Sequence, residues 1–207
     1  EFIPVAEDTR LIVPIGSWAL RQACREVAEW RRSSPALAAM HVSVNLSACQ
    51  FADDNLVELV ASALEESELD PDALWLEITE TVVMDGVDAT ITTLRALKAL
   101  GVHLSIDDFG TGYSSLSYLK RFPVDVLKID RSFVDGFGTD PEDEAIVTAV
   151  IRLAQALGKS VVAEGIENSR QLVGLSELGC NAGQGYFFSR PQPPEIIVPW
   201  LEERLRG

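Results

Sequence analysis

The chain has 207 residues, 47% of them hydrophobic and 24% charged, with a formal net charge of −15. That suits one globular domain, spanning residues 1–207, with a substantial core, and it argues against long nucleic acid as a partner, which wants a basic face. No apolar run approaches the roughly 18 residues of a membrane span, and no secretory leader pattern opens the chain.

The opening Glu1-Phe2-Ile3-Pro4 lacks an initiator Met, so the chain is expected to be cut from a longer protein or processed. Cys24, Cys49 and Cys180 are widely separated and form neither a Cys-x-x-Cys pair nor a zinc spacing. They read as reduced, buried thiols of a cytosolic protein. Leu11 to Arg32 places Ile12, Ile15, Leu20, Ala23, Val27 and Trp30 at helical spacing. A short β-branched run, His41 to Leu46, predicts a strand. Asp53 to Glu68 predicts a helix with Leu56, Leu59, Val60 and Leu64 on one face and Asp53 or Asp54 as its cap.

The alternation continues. Ala73 to Ile78 predicts a strand, Asp88 to Leu100 a helix and Val102 to Asp107 a strand. A glycine-rich loop from Gly110 to Gly112 and a short helix from Ser114 to Arg121 lead into a strand over Val124 to Ile129. Pro141 opens a helix over Glu142 to Leu157. Ser160 to Glu164 is a strand, Ser169 to Leu178 a helix, Ala182 to Phe188 a last strand-like stretch and Glu195 to Arg206 a closing helix. Alternation without long linkers implies a parallel sheet and leaves a doubly wound sheet and a barrel both open. The placement of polar residues favours an α/β fold of the TIM-like (β/α) barrel type. About six of its eight strands are present, with the shortfall before Glu1.

The polar residues at or just beyond these strand ends are Asn45, Glu77, Asp107, Asp108, Lys128, Glu164 and Gln184. In a barrel they converge on the C-terminal face, where such folds carry their chemistry. Any one of them, taken singly, reads more simply as a polar strand end facing water. Together, carboxylates and an amide suit hard divalent cations. Two such ions about 3.5–4 Å apart can activate water for in-line attack on a phosphodiester, with Lys128 placed to orient that water or offset phosphate charge.

Asn45-Leu46-Ser47, Glu77-Ile78-Thr79-Glu80, Asp107 through Leu116, Leu127-Lys128-Ile129-Asp130, Ala163-Glu164-Gly165-Ile166-Glu167 and Gln184-Gly185-Tyr186 follow one another in register. In this order they closely resemble the bacterial EAL-domain family, which hydrolyses cyclic di-GMP to linear pGpG. Phe2 to Glu7 resembles that family's opening helix. The resemblance implies that Asn45, Glu77 and Asp107 are metal ligands, with Asp108 at the second of two Mg²⁺ or Mn²⁺ ions. It implies that Lys128 contacts the nucleophilic water and that Glu164 is a base or metal-site partner. Gln184 lines the site, Glu80 anchors the loop after Asp108, and Asp130 and Glu167 support. The loop Gly110-Thr111-Gly112-Tyr113-Ser114-Ser115 is neither a Walker loop nor a dinucleotide fingerprint. In the family it couples metal binding to dimer contacts, and it is intact here.

The Glu-Ala-Leu motif that names the family, with its nearby Arg, would lie before Glu1, and neither Glu1 nor Glu7 replaces it. The segment alone is therefore expected to be impaired or inactive. Asn181 stands where the family often has Asp, an exchange expected to touch only supporting hydrogen bonds. His41 and His103, at strand beginnings, read as structural, and Trp18, Trp30, Trp75 and Trp200 as core. The resemblance implies cyclic di-GMP as ligand, leaves a homodimer open, and places an upstream sensory or GGDEF module in a parent whose EAL domain is cytoplasmic, whether or not the parent is membrane-anchored. The runner-up function is a catalytically silent cyclic di-GMP receptor or protein-interaction module. A third is a barrel metallo-hydrolase for another phosphodiester.

Overall fold

A computed structural model describes residues 2–84, 86–112 and 116–205. In chain order the helices are α1 (Ile3–Asp8), α2 (Ile12–Ser33), α3 (Ala48–Phe51), α4 (Leu56–Ser67), α5 (Glu80–Met84), α6 (Val87–Ala99), α7 (Leu116–Leu119), α8 (Arg131–Gly136), α9 (Pro141–Ala156), α10 (Ser169–Leu178) and α11 (Pro194–Leu205). The strands are β1 (Val42–Leu46), β2 (Leu74–Thr79), β3 (His103–Phe109), β4 (Val126–Ile129), β5 (Ser160–Ala163) and β6 (Ala182–Gly183). Among the described residues, six parallel strands interleaved with helices make the incomplete TIM-like β/α fold expected from the polar residues at the strand ends.

The chain divides into two compact bodies, one of residues 1–78, 92–103 and 192–207, the other of residues 79–91 and 104–191. In the first body β1 lies parallel to β2, with Asn45 opposite Glu77. Helix α2 buries a stripe of Ile12, Leu20, Cys24, Val27 and Ala28, and packs against α4. In α4, Leu56, Val60, Ala63 and Leu64 form the matching face. In the second body β3, β4, β5 and β6 follow one another as parallel neighbours, with no reversal of strand order of the kind a doubly wound sheet needs. All four residues of β4 are buried, the continuous burial expected of a strand covered on both faces. Helix α9 packs over β4 and β5. It starts at Pro141 and is capped by Asp140, whose carboxylate accepts from the Glu142 amide at 2.8 Å.

Several expectations are corrected. The last strand is two residues, Ala182–Gly183, and not the stretch to Phe188. The chain leaves the ladder because Gly185 passes so close to Ile166 that a Cβ there would lie 2.2 Å from the Ile166 carbonyl oxygen. The N-cap of α4 is Asn55, with no side-chain cap bond. Asp53 instead accepts from the Asn55 amide at 2.9 Å, closing a turn one step earlier. Trp18 is 67% exposed and not core. Trp75 stacks on His41 at a centroid distance of 4.5 Å and meets His103 at a tilt of 31° and 4.9 Å. Cys24 is buried, whereas Cys49 and Cys180 are half-buried, and all three are free thiols. Burial pushes the Cys24 thiol up to about 11, so it behaves as a small apolar group. Asn181 accepts from the Val161 amide at 2.8 Å at the beginning of β5, a bond that ties two strand starts together. No helix among the described residues is long and apolar enough to cross a membrane.

Candidate functional site

The second body gathers most of the sequence-predicted residues at the C-terminal ends of β3 to β6. Its most irregular element is β3. Ile106 pairs with Leu127 and Phe109 with Ile129, so Asp107 and Asp108 together oppose the single residue Lys128. Such a bulge is rare between parallel strands and re-aims side chains that would otherwise alternate across the sheet. Asp108 takes up the extra length with φ of +53°, a left-handed conformation that Asp tolerates better than most residues. Two consecutive carboxylates thereby lie near the one lysine.

Lys128 is 4% exposed and sits between them and β5. Its ammonium donates to Asp107 Oδ1 at 3.0 Å and to Glu164 Oε1 at 2.6 Å. A buried cation is tolerable only when paired in this way. Asp108, Asp130 and Glu164 each bring a carboxylate oxygen within 4.8 Å of the others. Burial first, then the neighbouring Asp107 and Asp130, push the Asp108 carboxyl above its ordinary range, against a smaller pull from Lys128. Asp130 also caps α8, accepting from the Ser132 amide at 3.0 Å.

Glu80, the first residue of α5, is 2% exposed, and its Oε2 accepts from the Gly110 amide at 2.8 Å. A Cβ on Gly112 would lie 2.7 Å from Glu80 Oε1, so the glycine lets the loop backbone close onto this carboxylate. Thr111 Oγ1 donates to the Asp108 carbonyl at 2.8 Å. Tyr113, Ser114 and Ser115 lie outside the described residues. Gln184 lies just past β6 and is exposed, with its backbone tied to Ala163 and Ile166. A cavity of about 210 Å³ is lined by Arg131, Glu164, Gly165, Glu167, Gln184, Gly185 and Tyr186. In the first body Asn45 and Glu77 stand in register at the ends of β1 and β2, Asn45 exposed and Glu77 6% exposed.

Sequence reasoning missed Arg131. Its guanidinium donates to Glu167 at 2.7 Å and to Asp135 at 3.2 Å. A signal was present, because a cation at the first position of a helix opposes the helix dipole and needs another reason to be there.

The family model described as EAL domain matches residues 1–191. Over 198 residues the chain is 48% identical to the bifunctional diguanylate cyclase/cyclic di-GMP phosphodiesterase MucR of Pseudomonas aeruginosa, covering 96% of this chain and 29% of that protein. The structure of the PaMucR phosphodiesterase in complex with c-di-GMP superposes with a TM-score of 0.91 at 47% identity, covering 95% of this chain and 78% of the other. The EAL domain of Mycobacterium smegmatis DcpA superposes with a TM-score of 0.88 at 44% identity, covering 93% and 86% of the two chains. The chain spans about a quarter of the length of the curated relatives it matches.

Proposed function

Because the chain belongs to the EAL-domain family, we propose that its site serves the hydrolysis of cyclic di-GMP to linear pGpG. The reading is carried by the buried Lys128 ammonium bridging Asp107 and Glu164 beside the Asp108 and Asp130 carboxylates. These are hard oxygen donors at a spacing one divalent cation can span, which fits Mg²⁺ or Mn²⁺. In the proposal Asp107, Asp108, Asn45 and Glu77 are the ligands of two such ions. When bound, the ions supply charge neutralisation at the phosphodiester and lower the pKa of the attacking water.

The chain's own groups do the rest. Lys128, paired with two carboxylates, donates a hydrogen bond that orients the water. Glu164 accepts the water's proton. The water oxygen then bonds to phosphorus as the bond to the 3′ oxygen breaks, and that oxygen takes up a proton to leave a linear product. Glu80 holds the loop after Asp108, Gln184 lines the site, and Glu167 supports the β5 loop.

The test is incubation with cyclic di-GMP and Mg²⁺ or Mn²⁺, watching for pGpG. It is run on the 207 residues alone, where impaired turnover is expected, and on the same chain joined to a Glu-Ala-Leu-bearing N-terminal segment. Glu77→Gln and Asp107→Asn are expected to abolish turnover, and unaltered activity in either refutes the ligand assignment. Micromolar binding without turnover in the extended chain establishes the receptor reading instead.

A further inference from the structure

We propose that Arg131 is a positioning residue that clamps the β5 loop and so fixes the direction in which Glu164 points. The inference rests on the reading that Glu164 serves phosphodiester hydrolysis.

The loop from Glu164 to Glu167 is held by backbone bonds at two points. The Glu164 amide donates to Ile129 at 3.1 Å and the Ile166 amide donates to Gln184 at 3.0 Å. Between them Gly165 turns with φ of +72°, and a one-residue swing there would re-aim Glu164. Arg131 covers that turn. A Cβ on Gly165 would lie 2.3 Å from Arg131 Cγ and 2.8 Å from its Cβ, so the arginine stem lies directly on the glycine. The guanidinium then donates through Nη2 to Glu167 at 2.7 Å and through Nε to Asp135 at 3.2 Å, four residues along α8. Arg131 thus spans the loop from Gly165 to Glu167, with its own backbone only two residues beyond the Ile129 carbonyl that holds Glu164.

Stability does not explain the arrangement. Arg131 is half-exposed, and exposed ion pairs are worth about 0–1 kcal/mol. Its first position in α8 also sets its charge against the helix dipole. What the contacts give is geometry. Glu164 Oε1 accepts from Lys128 at 2.6 Å, and that bond depends on where the Gly165 turn places the carboxylate. A planar guanidinium can brace two carboxylates at once, whereas a lysine offers a single point charge.

The test, run on the chain joined to a Glu-Ala-Leu-bearing N-terminal segment, compares wild type with Arg131→Met, which keeps the stem and loses the fork, and Arg131→Lys, which keeps the charge. Amide hydrogen exchange over residues 163–167, the melting temperature, and kcat and KM on cyclic di-GMP are measured for each. Arg131→Met is expected to speed exchange in that segment alone. It should lower kcat about 10- to 100-fold, the usual effect of removing a group that orients a site residue, while KM and melting temperature hold. Arg131→Lys should recover part of kcat. Unchanged exchange in Arg131→Met overturns the clamp. A raised KM with kcat retained overturns it too, by making Arg131 a substrate contact. Wild type without turnover sinks the phosphodiesterase reading instead, and exchange then decides alone whether Arg131 holds the loop.

Discussion

At the scale of single residues, Asp108 combines three unfavourable features. It has a left-handed backbone, a partly buried carboxylate, and Asp107 and Asp130 as like-charged neighbours. Its carboxyl is pushed above the ordinary range, so between its unfolded and folded pKa the folded chain holds more protons than the unfolded one. Stability contributed there is present at low pH and lost as pH rises through the folded pKa. Asn keeps the left-handed conformation accessible and removes the repulsion. Asp108→Asn is therefore expected to raise the metal-free protein's stability near pH 7, by about a few tenths of a kcal/mol because solvent screens a partly exposed carboxylate. The same change should flatten the fall in stability above pH 4 and cost activity. Urea unfolding across pH with chelator present checks this, and an unchanged or lowered midpoint at pH 7 contradicts it.

At the scale of elements, α9 depends on a visible local signal. Asp140 caps it, Pro141 begins it, and Glu142, Asp143 and Glu144 face the positive end of its dipole. Asp140→Ala should lower stability by about 1 kcal/mol, measured as a shifted denaturant midpoint with unchanged slope. Signals of this kind made α9 and α10 legible almost to the residue, because caps and apolar periodicity act locally. Asn168 and Gln171, for instance, form a reciprocal capping box at the start of α10. The strands at the site were legible in position but not in shape. Nothing local in Ile106-Asp107-Asp108-Phe109 announces that two residues will face one, since the bulge is set by pairing with β4. The early end of β6 was hidden for the same reason: Gly185 yields to the close passage of Ile166, a contact distant in sequence. The site carboxylates could be read because they cluster at strand ends. Arg131 gave only the weak signal of a cation at a helix start, because its partner Glu167 is brought near only when β4 and β5 pair.

At the scale of the whole molecule, a net charge of −15 means that any salt will ease self-repulsion. Binding at the site must be separated from that general effect. Mn²⁺ at about 100-fold excess over its dissociation constant should stabilise the protein by on the order of 2.7 kcal/mol, read as a raised melting temperature against KCl of equal ionic strength. Asp107→Asn should remove the difference between the two salts. An equal rise with KCl would mean that the carboxylates are only a solvated acidic face. The bulge in β3 also has a genetic consequence. The ladder to β4 needs one residue opposite Lys128 and the chain supplies two, so an in-frame loss of the Asp108 codon restores a regular strand. Such a deletion is expected to cost the scaffold only the Thr111 bonds to the Asp108 carbonyl while removing a proposed ligand. Selection on folding alone is blind to it, and descendants that keep the fold without the chemistry stand one mutational step away.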